Sequence, residues 1–329
     1  KSGAKSVYSI EKDDIFYIGK EIAKQNNLLD KITFIHNVST NTELPERVDY
    51  IIMEDYSPIF LYENLEQIIT DTRMRFLKKN GKFIPNNILL KMAPVQCPTL
   101  YNTLNIWENK NDFLFDIDWS YTTDLIFNQP HYIDNHTINP LSSETLVKEI
   151  DLSKDSEFTF SYFTKLKILK SGVLHGLAGW WDCWFTPTQF FSNSPNAPSN
   201  TWGQMFFPFH YPVSVKKGDI VRVHLQSFES KYTHNINYKW GIEHSSSIQE
   251  QNTFQGNYYS LEKLISFKKS FKPTLNLNGK ITKLILQQLD GKTSWAEIAK
   301  GLINKYPNNF SNIDETYSKI SEVTKNLVQ

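Results

Sequence analysis

Two acidic residues nine positions apart, Glu54 and Glu63, are the side chains of this sequence whose types and spacing best suit a chemical task. They bracket the loop in the stretch 48–65, VDYIIMEDYSPIFLYENL, where a short apolar strand runs into Glu54 and an amphipathic helix opens at Glu63. A guanidinium is planar, permanently charged and forked. Two carboxylates satisfy its geometry and its charge together through bidentate N–H···O pairs. Carboxylates also favour helix N-termini for ordinary electrostatic reasons. Spacing alone therefore leaves two readings, a cation clamp or a pair of end-of-element acids.

The elements that must position this pair follow from periodicity. Residues 1 to about 92 alternate strand and helix, with apolar runs at 5–10, 32–35 and 48–53 and a helical segment at 15–25. Such alternation predicts a parallel sheet. Glu11 ends the first of these runs, where doubly wound folds place an acid that holds a ribose through its hydroxyls; a helix cap is the everyday alternative. After Glu63, Leu65, Ile68, Ile69, Thr72 and Phe76 share one helical face, and Lys78, Lys79 and Gly81 read as that helix's C-terminal signature. Another strand is expected from Lys82, and 89–95 leads out of the sheet.

From about 96 to 266 the pattern changes. Candidate strands recur at 146–150, 158–163, 172–185, 204–209, 220–227 and 236–243, which predicts an antiparallel barrel or sandwich. Before them, 99–123 is a helix-prone insert whose Trp107, Phe113 and Trp119 offer apolar surface in need of a partner. Residues 267–273 read as a basic linker. A compact helical module follows, in which Ser294 and Glu297 form a capping box.

Composition narrows the function classes. A chain of 329 residues has room for two or three cores, and three is the expectation. Lys+Arg and Asp+Glu both number 35, so no global field draws in nucleic acid or an anionic membrane. Cys97 and Cys183 lack metal-ligand spacing, so no metal is expected, and their scarcity suits a cytoplasmic chain. No apolar run approaches the roughly 18 residues of a membrane span.

With Glu54 and Glu63 ahead of a strand-rich half, the chain resembles the protein arginine methyltransferases, whose double-glutamate loop has the same spacing. The segment 3–11, GAKSVYSIE, is similar to the family's second strand and its ribose-binding acid. The segment 77–85, LKKNGKFIP, is similar to a later strand motif, and 192–202, SNSPNAPSNTW, to the segment holding the family's Thr-His-Trp loop. The resemblance implies a partial Rossmann-like methyltransferase sheet in 1–95 that binds S-adenosylmethionine. It also implies an antiparallel β-barrel substrate domain in 96–266, with a helical dimerisation arm at about 99–123 forming a homodimer. Glu54 and Glu63 would be catalytic; Trp202, Thr201 and Tyr62 would bind substrate; Glu11, Ser39, Thr40 and Glu54 would hold the methyl donor. Departures stand beside these matches: Asn200-Thr201-Trp202 replaces Thr-His-Trp, Thr40 replaces an acid, and Asp55 and Pro58 replace aromatic residues of the loop.

The family's first strand and Gly-rich turn are not in the sequence, so the expectation is that upstream residues or another chain supply them. In 275–307, LNLNGKITKLILQQLDGKTSWAEIAKGLINKYP, the module 267–329 resembles small winged-helix domains of the PqqD type, which bind leader peptides. The resemblance thus implies arginine N-methylation of a protein or a leader-guided peptide. A non-catalytic peptide-binding relative is the second reading.

Overall fold

The computed structural model describes residues 3–325 and 327, apart from 108–116, 134–137, 155, 156, 187, 199, 231–234 and 311. Contacts divide the chain into two units, Lys1–Tyr258 and Tyr259–Gln329.

The first unit opens with β1 (Val7–Glu11), α1 (Ile15–Gln25) and β2 (Ile32–His36). The two strands pair in parallel, from Val7 opposite Ile32 to Glu11 opposite His36, because the intervening helix carries the chain back to the start of the next strand. β3 (Val48–Ile52), α2 (Leu65–Phe76) and β4 (Leu77–Ile84) repeat the pattern, again in parallel. Among the described residues no ladder joins β1 to β3, so these are two separate parallel pairs.

Lys78, Lys79 and Gly81, read above as the end of a helix, lie instead in β4. Tertiary pairing overrides the local signal. Leu77 is extended and pairs with Val48, and Lys78 Nζ reaches both carboxylate oxygens of Asp49 at 3.0 Å. Gly81 sits so close to Asp49 that a Cβ there would lie 3.0 Å from its carbonyl oxygen.

The strand-rich half contains β5 (Asn87–Gln96), α3 (Pro98–Leu104), α4 (Ser120–Phe127), β6 (His131–Ile133), β7 (Asn139–Pro140), β8 (Thr145–Asp151), β9 (Phe160–Lys167) and β10 (Gly172–Thr186). It continues with β11 (Gln189–Ser192), β12 (Gln204–Val215), β13 (Ile220–Glu229), β14 (Ile236–His244) and β15 (Ser247–Asn252). One sheet runs β6-β12-β10-β5-β7, with β11 on β10 and β8 on β5; a second runs β15-β14-β13-β9. The strand β10 is continuously buried from Leu174 to Cys183 because both its faces are covered. Trp181 enters a core with Tyr56, Phe60, Phe207 and Trp240, while Trp180 on the opposite face packs with Tyr101 and Leu104 of α3 and Phe127 of α4.

The expected barrel is not closed. The two antiparallel sheets share no ladder among the described residues, and side chains take over at their seams. Gln249 of β15 accepts from the Tyr211 amide and donates to the Tyr211 carbonyl, both at 2.8 Å, imitating a strand pair. Thr145 of β8 and Tyr162 of β9 join through their hydroxyls at 2.6 Å. The β10–β12 register shifts between Leu174 and Gly176. Such a shift bends the strand, so Tyr211 meets a side chain where closure would need backbone. Of the insert at 99–123, α3, a 3-10 turn at Asn105–Trp107 and the start of α4 are described; 108–116, with Phe113, lie outside the described residues.

The second unit holds α5 (Leu261–Ser266), α6 (Leu277–Gln287), α7 (Trp295–Lys305) and α8 (Ile313–Thr324). Ile281, Ile285, Ile298, Ala299, Leu302 and Ile320 form its core. The capping box is made: Ser294 N donates to Glu297 Oε2 at 2.8 Å and Glu297 N donates to Ser294 Oγ at 3.4 Å. Its described residues contain no strand, so the wing expected there has no counterpart among them. Among the described residues no helix is long and apolar enough to cross a membrane.

Candidate active site

The loop between β3 and α2 is anchored at its centre and open at its ends. Ile59, Phe60 and Leu61 are buried in the main core. They form a tight turn in which Phe60 N donates to Ser57 O at 2.8 Å and Ser57 Oγ donates to Leu61 O at 2.7 Å. Phe60 takes φ +67° to make it, a conformation uncommon for a bulky residue. With the middle sunk into the core, both arms rise toward solvent. Glu54 and Glu63, next to the two ends, are exposed.

One hydrogen bond ties the arms together: Tyr62 OH donates to Asp55 Oδ2 at 3.1 Å. Asp55 follows Glu54 and Tyr62 precedes Glu63, so the bond brings the neighbourhoods of both acids to one place. Burial, with help from Asp55, pushes the Tyr62 phenol well above its ordinary range, so it stays protonated and able to donate. Burial, with help from the Glu54 carboxylate, does the same for Tyr56. Asn64, at φ +60°, turns the chain into α2 and donates from Nδ2 to Glu63 Oε1 at 3.4 Å. No hydrogen bond or ion pair engages the Glu54 carboxylate among the described residues.

An aromatic wall stands beside these arms. Half-buried Trp202 stacks on Tyr56 with ring centroids 5.8 Å apart and planes 18° from parallel. Trp181 and Phe191 meet Trp202 edge-on at 5.5 and 5.3 Å, and Trp181 Nε1 donates to Ser57 O at 3.1 Å. The strand-rich half thus reaches the acid loop through a ring on each side. Thr201 is exposed and accepts through its carbonyl from Tyr132 OH at 3.4 Å, so its backbone rather than its hydroxyl is engaged.

The remaining expected residues lie apart from this cluster. Glu11, half-buried at the end of β1, accepts from Asp13 N at 2.9 Å through Oε1. Ser39 and Thr40 sit in a 3-10 turn after β2. Arg75 of α2 holds that turn, donating to Ser39 O at 2.7 Å and to Thr42 O, while Asp71 pairs with its guanidinium. Hydrogen bonds and ring contacts thus join the loop 54–63 to Trp202, whereas those of Glu11 and of the Ser39–Thr40 turn run to Asp13 and to Arg75.

Sequence reasoning missed Tyr56, Trp181 and the bracing role of Asp55. The signal for Trp181 was present: two adjacent tryptophans in one apolar strand must face opposite sides, so both sides must be covered. Nothing local ties Tyr56 to a ring 146 positions away.

A model of the arginine methyltransferase oligomerization subdomain matches residues 89–245. The chain is similar to the probable protein arginine N-methyltransferase 6 of Arabidopsis thaliana, 26% identical over 300 residues, covering 76% of this chain and 68% of that protein. It is 25% identical over 258 residues to protein arginine N-methyltransferase 1 of Saccharomyces cerevisiae, covering 75% and 73% of the two chains. With the histone-arginine methyltransferase CARMER of Drosophila persimilis the identity is 28% over 230 residues, and the chain spans only 43% of that protein's length. Among solved structures it is similar to the Trypanosoma brucei PRMT1 enzyme–prozyme heterotetrameric complex with AdoHcy, with TM-score 0.67, 20% identity and 76% and 81% coverage. Arabidopsis thaliana protein arginine methyltransferase 10 follows, with TM-score 0.62, 21% identity and 76% and 83% coverage. At such identities these two structures speak to the fold alone.

Proposed function

We propose that this chain, a relative of the protein arginine methyltransferases, methylates the guanidinium of an arginine in a protein or peptide. The observation that supports the reading is the Tyr62–Asp55 hydrogen bond, which joins the residues beside Glu54 and Glu63 in a loop packed on an aromatic wall. An arginine side chain keeps its proton throughout the biological range, so its nitrogens are poor nucleophiles while they share the charge. Glu54 and Glu63 bind two edges of the fork, draw positive charge toward the nitrogens they hold and leave the third nitrogen aimed outward. Trp202 and Tyr56 bound the alkyl stem. One glutamate accepts the departing proton, and positioning supplies most of the rate gain.

S-adenosylmethionine, when bound, supplies the methyl group on a sulfonium. The chain's residues fit its nucleoside end by the chemistry of their donor set: Glu11 ends a parallel strand, and the Ser39–Thr40 turn adds hydroxyls. Glu54 is the further residue assigned to the donor. In this reading 1–95 serves the donor and 96–266 the substrate. The arm at 99–123 makes a homodimer, the chain works in the cytoplasm with Cys97 and Cys183 as buried free thiols, and 267–329 recruits a leader peptide. The helices of that module favour a helix-groove mode of recruitment over strand addition.

The test is methyl transfer to an arginine peptide by Glu54→Gln and Glu63→Gln. Each should lose about 100-fold or more in kcat, the scale of a lost charge-stabilising group, while S-adenosylmethionine affinity of Glu63→Gln stays near the parent's. Substantial turnover by both variants would remove the glutamates from the mechanism. A non-catalytic peptide-binding relative is the second reading, favoured by Thr201, whose side chain supplies no imidazole. Calorimetry showing no S-adenosylmethionine binding by the native protein would select it.

A further inference from the structure

We propose that Asn193 is a positioning residue that locks the acid loop to the Trp202 segment, so that the two halves of the site form one rigid part. The inference rests on the methyltransferase reading for its kinetic consequence and on geometry for the rest. Asn193 follows β11 and is wholly buried at 0% exposure. A buried amide must satisfy one acceptor and two donor hydrogens or lose stability. Asn193 satisfies all of them on backbone.

Three segments meet there. Oδ1 accepts from Trp181 N at 2.8 Å, and the Asn193 amide donates to Trp181 O at 3.3 Å, so the residue is stitched to the rigid central strand β10 by its main chain and its side chain together. Nδ2 donates one hydrogen to Pro58 O at 2.9 Å, in the middle of the loop between Glu54 and Glu63. It donates the other to Gly203 O at 2.6 Å, directly after Trp202. Gln204 Nε2 completes the set on the Asn193 carbonyl.

The surroundings leave little freedom. Gly203 takes φ +50°, and a Cβ there would lie 2.4 Å from Ile133 O, so its backbone packs closely on β6. Pro58 has no N–H, and its carbonyl is met by the Asn193 amide. An Asn fits where few residues could: Asp keeps the acceptor and loses both donors, Leu keeps neither, and Gln is longer by a methylene in a site without room. Cutting this junction frees the Tyr56–Trp202 stack to open, which loosens where a substrate stem is held while leaving Glu11 and the Ser39–Thr40 turn untouched.

Asn193→Asp in the full chain tests this. It retains the acceptor for Trp181 N and sets a carboxylate oxygen against the carbonyls of Pro58 and Gly203. Hydrogen exchange at Phe60, Leu61 and Trp202 should accelerate about tenfold or more, while amides of the β13–β14 ladder keep their rates. KM for an arginine peptide should rise about tenfold and that for S-adenosylmethionine should not move. A folded Asn193→Asp protein with parental exchange in both segments overturns the proposal. If the native protein transfers no methyl group, the activity reading fails and the exchange result still decides this one. Should the variant not fold, the parent protein suffices: Phe60 and Trp202 must exchange through one shared opening with equal opening free energies, and independent openings overturn the inference.

Discussion

His175 shows how one buried ring carries a pH dependence. Its Nδ1 accepts from Cys97 N at 3.1 Å, which requires a neutral imidazole with its proton on Nε2. Burial pulls its pKa below the ordinary 6.5 in the folded state. The sign follows from proton counting. Between the lowered folded value and 6.5 the unfolded chain binds the proton more readily, so unfolding gains free energy as pH falls. The stabilising contribution is complete above 6.5 and is lost as the pH drops through the window below it. Burial lowers His131 and His224 in the same direction. Melting temperature should therefore fall on acidification from pH ~7 to ~5, and His175→Asn, whose Oδ1 can replace Nδ1, should flatten part of that fall. An unchanged slope in the variant would show that His175 does not titrate on unfolding.

At the scale of elements, β10 is the structural centre, since it pairs with β5 and β12 and is covered on both faces. Its register shift next to Gly176 demands close backbone approach: a Cβ on Gly176 would lie 2.3 Å from Phe207 O and 2.7 Å from the Phe206 ring. Neither atom is the free end of a flexible chain. Gly176→Ala should cost about 1–3 kcal/mol, the usual scale of core overpacking, read as a lower urea midpoint with unchanged m-value. A midpoint equal to the parent's would mean that β12 can slide away. The ends of β8, β10, β13 and β14 were readable within two residues from alternation and turn residues; β9 and β12 run on to Lys167 and Val215, past the expected 163 and 209, and β15 was not readable at all. Its sequence SIQEQN is polar and its one large apolar residue, Ile248, is exposed, so nothing in its pattern announces a strand.

The whole molecule consists of two units, each with its own core. Leu302 is fully buried in the smaller, helical core. Leu302→Ala should remove about 2–5 kcal/mol from that unit. Calorimetry should then show two unfolding transitions, of which only one moves. A single transition displaced as a whole would show that the cores melt together. This matters for function, because a module with its own melting can be lost or exchanged without disturbing Glu54, Glu63 and Trp202.

The sequence by itself determined what local forces determine. Apolar periodicity predicted the helix at Ile15–Gln25 and six strands of the antiparallel half, and the Ser294–Glu297 capping box marked the start of α7, since each depends on neighbours within a few residues. It also marked Glu54 and Glu63 as the acids flanking a loop. Only the tertiary structure decided that Lys78, Lys79 and Gly81 form a strand, that the sheets meet through Gln249 and Tyr162 without closing, and that Tyr56 stacks on Trp202. The same holds for Asn193, which reaches Pro58 across 135 positions. Such contacts leave no periodic trace in the chain, because a buried hydrogen bond between distant segments depends on where three-dimensional packing delivers its partners.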